Sequence, residues 1–565
     1  MDIEKNVIRA YALENALKYK GKASQGAVLA GLFSEGLKKE DIKEVISQVG
    51  EVIDEVNSMT LKKQEKEFEK LKVKVHKREI REGLPALENA EDGKVVMRFA
   101  PFPSGPLHIG NTRQLILNDE YVKMYDGKLI LVMDDTIGSE EKPIEPEAYA
   151  LIQEGVDWLG VNYDKKIVYK SDRLEKYYAY AEELIKKGYM YVCDCSQKER
   201  HELRKRGVGC GCRELSASEH VIRWKEMFEP ETKEGSLAVR LKTNMQDPDP
   251  AFRDRVMFRI SDRRHPRLNR KYRVYPLLEF SWAIDDHLLG VTHILRGVDL
   301  MMETRVEKFI WDIFQWEHLT VIHTGFFSIQ GIRLSKSKGA KEVKAGEYSG
   351  WNDPRTWSLQ SLRDRGIAPE IIRSFILNMG LTKVNSTIAV DVLYALNKKF
   401  LEDKVTKRYF FVPEPVKIHI AGTPELSARL PLHPSQNLGF RDYKTGQDFF
   451  VPKQDFSLMK NGDYRLMHLL NFRAEEIGTV RPRDFSFISE EPEDGLDVKF
   501  IQWLPADAGN VKVSVRMADN SVVEGLGEAE LKKLKVGDVV QFERFGFVKL
   551  YKKGKVRLEF WFGHF

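Results

Sequence analysis

The stretch PFPSGPLHIGNT, residues 101–112, decides how the first half of this chain folds. It follows an apolar run at residues 95–97, and a helical pattern begins directly after it. Such a density of proline and glycine is typical of an ordinary turn, where a histidine is more commonly structural than functional. A loop between a strand and a helix can also hold phosphate groups, because a helix N-terminus attracts anions and His108 can donate a hydrogen bond. It is not a Walker loop, since GxxxxGK[ST] is absent.

A second loop favours the phosphate interpretation. GIRLSKSKGA, residues 331–340, carries Arg333, Lys336 and two hydroxyl groups between glycines. A basic serine–lysine loop alone is commonly a plain surface loop, but beside a histidine-bearing loop it can clamp a triphosphate. In-line transfer at phosphorus requires positioning and charge neutralisation rather than a nucleophilic side chain. The two loops together therefore predict a nucleotide-binding site.

Composition places the chain among soluble globular proteins. It has 565 residues, of which 42% are hydrophobic and 31% charged, and this length predicts several domains. The N-terminal residues alternate charged and apolar types, unlike a signal peptide, and no stretch approaches the ~18 apolar residues of a membrane span. We therefore expect a cytoplasmic protein with no membrane partner.

The net charge of +5 hides an uneven distribution. Residues 253–273 carry eight arginines and one lysine against two aspartates. A basic run is commonly only a solvated face. Because this one is interleaved with apolar residues and precedes a predicted strand, it also suits a folded basic ribbon that binds a polyanion such as RNA.

Hydrophobic periodicity divides the chain into three regions. Residues 1–92 show helical spacing and no catalytic constellation. From Lys94 the pattern is strand, loop and helix, and a second strand ends in Asp134 and Asp135, which predicts the βαβ beginning of a parallel sheet. After about residue 405, short alternating runs bounded by Gly, Asp and Asn predict one or two β-barrels.

The four cysteines form two pairs, Cys193-x-Cys195 and Cys210-x-Cys212, with fourteen residues between them. A large cytosolic chain argues against disulfides. Paired cysteines across a charged hairpin favour a tetrahedral zinc ion, although CxxC is the usual spacing and four free thiols are the alternative. Four protein ligands leave no open coordination position, so we expect this zinc to stabilise a small insertion.

PLHIGN at 106–111 resembles the HIGH motif of class I aminoacyl-tRNA synthetases, and RLSKS at 333–337 resembles their KMSKS motif. The surrounding RFAPFPSGPLHIG, LILVMDDT and GVTHILRG look like the glutamyl/glutaminyl branch. Residues 93–405 resemble its catalytic core. Residues 406–565 resemble the β-barrel anticodon-binding region of the archaeal and eukaryotic members rather than the helical region of the bacterial ones.

The resemblance implies a multidomain α/β protein with a Rossmann-type catalytic core. The implied segments are a helical N-terminal domain (1–92), the first half of the catalytic domain (93–192), an inserted acceptor-stem-binding domain with a zinc-binding hairpin (193–273), the second half of the catalytic domain with the RLSKS loop (274–345), a helical stem-contact region (346–405) and a β-barrel anticodon-binding region (406–565). We expect a monomer whose N-terminal helices bind a protein partner.

The resemblance also implies roles in forming an aminoacyl-adenylate. His108 and Lys336 would stabilise the pentacoordinate phosphate of ATP, which binds with Mg²⁺, and Gly110 would let adenine approach the backbone. Arg98 would face the carboxyl group of the amino acid, and Asp134 would receive its α-ammonium group. Further implied contacts are with ATP at Pro101, Asn111, Arg333, Ser335 and Ser337, and with the amino acid at Tyr275.

Arg296, in THILRG, separates glutamate from glutamine. It matches the arginine that glutamate-specific members use for the γ-carboxylate and that bacterial glutaminyl enzymes lack. A guanidinium pairs bidentately with a carboxylate but complements an amide poorly. The resemblance thus implies ATP-dependent attachment of L-glutamate to tRNA(Glu). A glutaminyl enzyme is the alternative, and charging of tRNA(Gln) stays open.

Several positions depart from the family pattern. Asn111 replaces the second histidine of HIGH, and Leu334 replaces the methionine of KMSKS. Phe102 replaces a polar residue, and Leu278 falls where the family has a substrate-contacting tyrosine. The last two keep a non-catalytic tRNA-binding paralogue as an alternative. A small-substrate nucleotidyltransferase shares the HxGH loop, but it needs neither the basic insertion nor the β-rich region.

Overall fold

A computed structural model describes residues 4–19, 21–32, 35, 37, 41–71, 83–137, 139, 142–332, 334–404, 406–476, 483–492 and 498–565. The chain divides into two compact units, Met1–Gly83 and Leu84–Phe565. In the described ranges, no helix has the length and apolar character needed to cross a membrane.

The first unit is helical, as the periodicity predicts. Its helices are α1 (Lys5–Lys18), α2 (Gln25–Leu32), α3 (Ile42–Asn57) and α4 (Leu61–Leu71). Apolar residues at helical spacing form its core, among them Val49 and Val52 of α3. The buried Gln64 amide donates hydrogen bonds to the carbonyl groups of Gly21 and Val56 at 3.0 and 2.8 Å, which attaches α4 to this core.

The boundary between the units precedes the end of the predicted N-terminal domain at residue 92. Leu87 is buried in the main core of the second unit, and its N–H donates to the Tyr125 hydroxyl at 2.8 Å. Residues 84–92 therefore belong to the second unit, because their apolar side chains pack there.

The second unit begins with alternating strands and helices. These are β1 (Val96–Phe99), α5 (Thr112–Met124), β2 (Lys128–Met133), α6 (Ala148–Trp158), β3 (Val168–Tyr169) and α7 (Leu174–Lys186). An antiparallel sheet then interrupts this pattern; with its helices it comprises β4 (Met190–Cys193), α8 (Gln197–Arg206), α9 (Ala217–Glu226), β5 (Ala238–Leu241), β6 (Val256–Ile260) and β7 (Val274–Pro276).

The chain next returns to the parallel sheet. The returning elements are α10 (Leu278–Leu288), β8 (His293–Gly297), α11 (Met301–Phe314) and β9 (Thr320–Thr324). The strand order is β3-β2-β1-β8-β9, and all of these pairs are parallel. From β1 the chain adds β2 and β3 on one side, and after the insertion it adds β8 and β9 on the other side of β1. The crevice at the C-terminal ends of β1 and β8 is therefore the switch point where ligands bind in such sheets.

A mainly helical segment follows the parallel sheet. It contains β10 (Phe327–Ile329), α12 (Lys336–Lys344), α13 (Leu359–Asp364), α14 (Pro369–Met379), β11 (Ser386–Ile388) and α15 (Val390–Asp403). Strands β10 and β11 pair with each other in parallel. Buried side chains of α13, α14 and α15 extend the core of the parallel sheet.

The remainder is β-rich, as its alternating pattern predicts. Its elements are β12 (Arg408–Tyr409), β13 (Phe411–Pro413), β14 (Pro415–Ala421), β15 (Leu426–Pro431), β16 (Phe440–Thr445), β17 (Asp448–Pro452), α16 (Lys453–Leu458), β18 (Gly462–Leu466), β19 (Leu470–Glu476), β20 (Arg483–Ser489), β21 (Lys499–Ile501), β22 (Leu504–Pro505), β23 (Val511–Arg516), β24 (Val522–Gly527), β25 (Val539–Phe542), β26 (Gly546–Lys553) and β27 (Arg557–His564).

These strands form two seven-stranded sheets and a hairpin. The middle sheet has the order β21-β18-β19-β20-β14-β17-β22, and the terminal sheet has the order β12-β25-β26-β27-β23-β24-β13. Strands β15 and β16 pair as a separate hairpin.

A buried ion pair joins the hairpin to the terminal sheet. Arg441 of β16 donates to Glu528, after β24, at 2.7 Å and to Glu543 at 2.9 Å. The Glu528 carboxylate also accepts the Phe410 backbone N–H. Burial raises the pKa of Glu528, and the Arg441 charge opposes that rise.

We predict that Arg441→Met lowers the free energy of unfolding by about 3 kcal/mol, because it leaves the Glu528 carboxylate buried and unpaired. Arg429→Met in the same hairpin is the control, since Arg429 and Asp442 are exposed and 3.6 Å apart, and we expect a loss below about 0.5 kcal/mol. Urea denaturation followed by circular dichroism measures both. Equal losses in the two variants would contradict the role of the buried pair.

Candidate active site

A cavity of about 660 Å³ lies at the edge where β1 and β8 end. The two predicted phosphate loops and the ends of both strands line it. The sequence-predicted residues that it brings together are Arg98, Pro101, His108, Gly110, Asn111, Arg296, Ser335 and Lys336. Residues more than 200 positions apart in the chain therefore meet at one site.

The first loop, residues 101–112, runs from β1 directly into α5. Residues Ile109–Asn111 form a 3₁₀ turn that precedes α5. The His108 N–H donates to Asn111 Oδ1 at 3.1 Å. The side chain of Asn111, which replaces the second histidine of HIGH, therefore stabilises the turn. A Cβ atom on Gly110 would lie 2.9 Å from the His108 ring and 3.2 Å from Leu334 Cδ1. A larger residue at this position would therefore crowd both side chains.

His108 is neutral at physiological pH. Burial, together with the charge of Lys336, lowers the pKa of His108 to about 3. Its Nδ1 has no hydrogen-bond partner in the part of the chain that the structure describes. A neutral imidazole can donate one hydrogen bond to an anion without adding a charge to the cavity.

The second loop leads into α12, whose first residue is Lys336. The Lys338 N–H donates to Ser335 Oγ at 3.4 Å and caps the helix. Lys336 Nζ lies 3.5 Å from the Phe102 carbonyl oxygen, so the two loops touch. Burial, with a contribution from the charge of Lys142, lowers the pKa of Lys336 to about 7. Arg333 and the side chain of Ser337 lie outside the described residues.

The opposite end of the cavity holds two buried guanidinium groups. Arg98 pairs with Asp286 through both Nε and Nη2, the latter at 2.8 Å. Arg296 Nη1 donates to Glu307 at 2.8 Å. Their Cζ atoms lie 4.6 and 4.7 Å from the centre of the Trp282 ring, respectively.

One edge of the Arg296 guanidinium is unpaired. Within the described residues, neither its Nε nor its Nη2 has a hydrogen-bond partner, and the Asp286 carboxylate is 4.0 Å from Nη2. Parallel Nε and Nη2 donors match the two oxygens of a carboxylate. The edge is buried, so leaving it unpaired is unfavourable until an acceptor binds.

Two predicted amino-acid contacts lie outside the cavity lining. Asp134 is buried and pairs with Lys170 Nζ at 3.1 Å. Burial lowers the pKa of Lys170, and the Asp134 carboxylate opposes this effect. Tyr275 lies on β7 in a separate core, where its hydroxyl donates to the Tyr272 carbonyl at 2.9 Å.

The four cysteine sulfurs lie within 4.8 Å of one another, in the antiparallel insertion. The Cys193–Cys210 and Cys195–Cys212 sulfur distances are both 3.8 Å. Zinc–sulfur bonds of ~2.3 Å in a tetrahedron place sulfurs about 3.8 Å apart. The cluster therefore has the size and the donor set of a structural zinc site.

Comparison with known proteins agrees with this arrangement. A profile of class I tRNA synthetases (E and Q), catalytic domain, matches residues 94–403, and two profiles of their anti-codon binding domain match residues 406–486 and 500–551. The chain belongs to this synthetase family. The core of a class I (E and Q) synthetase thus accounts for the parallel sheet, the cavity and both loops.

Proteins named glutamate–tRNA ligase are similar over nearly their whole length. The protein from Pyrococcus abyssi is 42% identical over 564 residues, 98% of each chain. That from Methanocaldococcus jannaschii is 42% identical over 544 residues, 96% of each chain. That from Methanothermobacter thermautotrophicus is 39% identical over 569 residues, 99% of each chain.

Sequence reasoning missed the buried, oppositely charged partners of Arg98, Arg296 and Asp134. Asp286 and Glu307 hold Arg98 and Arg296, Lys170 holds Asp134, and Trp282 lies among the cations. The two aspartates that follow the mainly apolar segment LEFSWAI, residues 278–284, could have indicated Asp286 as a buried partner. No sequence motif marks Glu307 or Lys170, because each meets its partner only through the packing of neighbouring elements in the folded sheet.

Proposed function

We propose that this synthetase joins L-glutamate to tRNA(Glu) and converts ATP to AMP and pyrophosphate. The observation that carries the proposal is the buried Nε/Nη2 edge of Arg296, which makes no hydrogen bond within the described residues and lines the same cavity as the two loops that suit ATP. A carboxylate completes this edge with two charge-assisted hydrogen bonds, whereas an amide leaves donors facing each other. The relatives that carry the name glutamate–tRNA ligase support the same choice.

The chemistry has two steps. A glutamate α-carboxylate oxygen attacks the α-phosphorus of ATP, the bond to the β-phosphate oxygen breaks, and pyrophosphate leaves. A ribose hydroxyl at the tRNA terminus then attacks the carbonyl carbon of the adenylate, loses its proton, and AMP leaves. Bound Mg²⁺ supplies charge neutralisation on the phosphates.

In this proposal His108 and Lys336 stabilise charge on the transferring phosphate. His108 donates a hydrogen bond, and Lys336 places a cation opposite the nonbridging oxygens. Both side chains are half-buried, and the partial exclusion of water strengthens their interaction with an anion. Pro101, Gly110, Asn111 and Ser335 shape the two loops around the nucleotide. Arg98 faces the carboxyl group of glutamate, with Asp286 holding its guanidinium in one plane.

Asp134 requires a rearrangement if it binds the α-ammonium group. Lys170 already pairs with its carboxylate, so an ammonium group must share or displace that contact. Tyr275 makes no such contact in this arrangement, since its hydroxyl is bound to Tyr272 within the core.

Amino-acid-dependent exchange of pyrophosphate into ATP, measured with tRNA(Glu) present, tests the proposal. We expect exchange with glutamate and at least about a hundredfold less with glutamine. A preference for glutamine would replace the assignment by a glutaminyl enzyme. Absence of exchange with either amino acid would leave a tRNA-binding paralogue.

We predict that Arg296→Gln lowers kcat/KM for glutamate about a hundredfold, because two charged hydrogen bonds to the γ-carboxylate are lost. Arg305→Gln is the control: Arg305 lies on α11, the helix that carries Glu307, but it pairs with Asp247 and does not line the cavity. We expect its kcat/KM to stay within about twofold of the parent. An equal loss in both variants would argue for a structural effect rather than for recognition.

We also predict that ATP binding takes up a proton at Lys336. With its pKa lowered to about 7, the amine is mostly neutral at pH 8, and a bound phosphate favours the charged form. ATP affinity should therefore fall as the pH rises from 7 to 9. Calorimetry at pH 8 in buffers of different ionisation enthalpy should show close to one proton taken up. Lys336→Arg, which stays charged, should abolish the uptake, and unchanged uptake would contradict the assignment.

We propose further that Cys193, Cys195, Cys210 and Cys212 bind one structural zinc ion. The zinc supplies a covalent-like crosslink between the end of β4 and the turn that carries Cys210 and Cys212. Arg240 supports this site, since its Nη1 lies 3.5 Å from Cys210 Sγ and 3.8 Å from Cys193 Sγ, where it stabilises thiolate charge.

Metal analysis of the purified protein should find about one zinc per chain. Cys195→Ser should lose most of this zinc and lower the melting temperature, since a ligand of the tetrahedron is removed. The four cysteines of this cluster are the only ones in the chain, so no other thiol can substitute. Metal-free protein with full thermal stability would instead support four free thiols.

In this proposal, parts of the chain outside the cavity recognise the tRNA. We propose that the basic residues 253–273 meet the acceptor stem and that the two β-rich sheets bind the anticodon. Charging of tRNA(Glu) and tRNA(Gln) by one preparation decides whether the enzyme discriminates between them. A protein partner for the N-terminal helices and a monomeric state stay predictions.

A further inference from the structure

The first phosphate loop is paired with a distant segment of backbone. The Ile109 N–H donates to the Trp357 carbonyl at 3.2 Å, and the Leu359 N–H donates to the Leu107 carbonyl at 2.9 Å. His108 and Ser358 face each other in this short antiparallel bridge. The backbone position of His108 therefore depends on where residues 357–359, the support segment, are held.

The support segment contains a strained residue. Trp357 has φ +54° and ψ +24°, a left-handed conformation that a bulky side chain rarely adopts. Such a conformation persists only where the surroundings impose it, and it places the Trp357 carbonyl where Ile109 can donate to it.

Arg365 packs directly against the Trp357 ring. Its Cζ lies 5.2 Å from the centre of that ring and 5.6 Å from the centre of the Tyr394 ring. The guanidinium is buried, and among the described residues no carboxylate lies within ion-pair distance of it. Arg365 must therefore obtain its stabilisation from dipoles and aromatic faces.

The last strand of the terminal sheet supplies those dipoles. Arg365 Nη2 donates to the Gly563 carbonyl at 2.8 Å and to the Tyr394 hydroxyl at 2.7 Å, and Nε donates to the Phe562 carbonyl at 3.2 Å. A Cβ atom on Gly563 would lie only 2.8 Å from the Arg365 carbonyl oxygen, so a larger residue cannot approach as closely.

A second contact fixes the same strand. The Asn397 amide of α15 donates to His564 Nε2 at 2.9 Å, and the Asn397 oxygen accepts the Ala368 N–H at 2.9 Å. His564 Nδ1 lies 3.0 Å from the Phe565 carbonyl oxygen, to which it donates, so Nε2 is the nitrogen that accepts from Asn397; burial lowers the pKa of His564. Strand β27 is thus bound next to the support segment at three consecutive residues, Phe562, Gly563 and His564.

We propose that Arg365 is a positioning residue for ATP, through which the terminal sheet holds the first phosphate loop in its binding geometry. Carbonyl groups of β27 accept hydrogen bonds from Arg365, and Arg365 packs against the ring of the left-handed Trp357. The Trp357 carbonyl in turn accepts the N–H of Ile109, the residue next to His108. A shift of strand β27 in the terminal sheet would thereby alter the phosphate site at His108, some 450 residues earlier in the chain. This inference rests on the proposed use of ATP at the loops.

Arg365→Met tests the inference. It keeps an unbranched stem but loses the guanidinium group with all of its donors, and we expect about tenfold weaker binding of α,β-methylene-ATP, with KM for glutamate within about twofold of the parent. Lys549→Met is the matched control, because Lys549 also joins the terminal sheet to α13, through the Arg363 carbonyl at 2.7 Å, without reaching Trp357. We expect the control to bind the analogue as the parent does.

A second pair of variants tests the strained backbone itself. Trp357→Gly and Trp357→Ala remove the same ring, but glycine adopts the left-handed conformation without strain. We expect the alanine variant to bind the ATP analogue about fivefold more weakly than the glycine variant. This comparison stands even if Arg365→Met does not fold, since both of its members carry nearly the same cavity.

The outcomes separate this inference from the proposed function. Equal affinities of the Arg365→Met and Lys549→Met proteins for the analogue, or of the two Trp357 variants, would overturn the positioning role. Calorimetry of the full-length protein measures these affinities without any aminoacylation. A parent protein that binds the analogue but activates no glutamate would refute the proposed function and still leave the affinity ratios as the test of Arg365.

Discussion

Three buried cations surround the indole ring of Trp282, and three buried carboxylates balance them. The pairs are Arg98 with Asp286, Arg296 with Glu307, and Lys170 with Asp134. An isolated ion at this depth would cost several kcal/mol, so each side chain is stable only with its partner in place. The aromatic face adds a further attraction for all three cations. This mutual dependence fixes the guanidinium planes and so sets the direction in which a carboxylate can be bound.

The strand order of the parallel sheet makes this cluster possible. Arg98 lies on β1 and Arg296 on β8, which are neighbours in the sheet although 198 residues separate the two arginines. Asp286 and Glu307 come from the helices that precede and follow β8. The antiparallel insertion lies between β3 and β8 in the sequence but forms its own sheet, so it leaves the edge between β1 and β8 intact. A site at the switch point can therefore coexist with a large inserted domain.

Residues in the two loops were predictable because their chemistry is local. His108, Gly110 and Lys336 stand in short motifs whose glycines, hydroxyls and charges indicate a phosphate site, and all three line the cavity. Buried ion pairs are harder to predict, because each joins two segments whose proximity in the fold cannot be read from the spacing of residues in the sequence. Asp134 is an example: the sequence predicted its position at the end of a strand, but it did not predict its ion pair with Lys170. Tyr275 lies on a strand whose residues are all buried, in a core and not in the cavity lining.

The helical segment and the terminal sheet show a second limit of local reasoning. Nothing in the residues around Trp357 predicts a left-handed tryptophan, because the conformation is imposed by contacts with Arg365 and with the loop before α5. Phosphate loops rich in proline and glycine have few side chains with which to fix their own geometry. Preorganised donors require rigid neighbours, since a displacement of about 1 Å at a reacting group is costly. In the proposed role of Arg365, a regular β-strand, β27, supplies that rigidity, and the packing of the terminal sheet becomes part of the geometry at which a phosphate would bind.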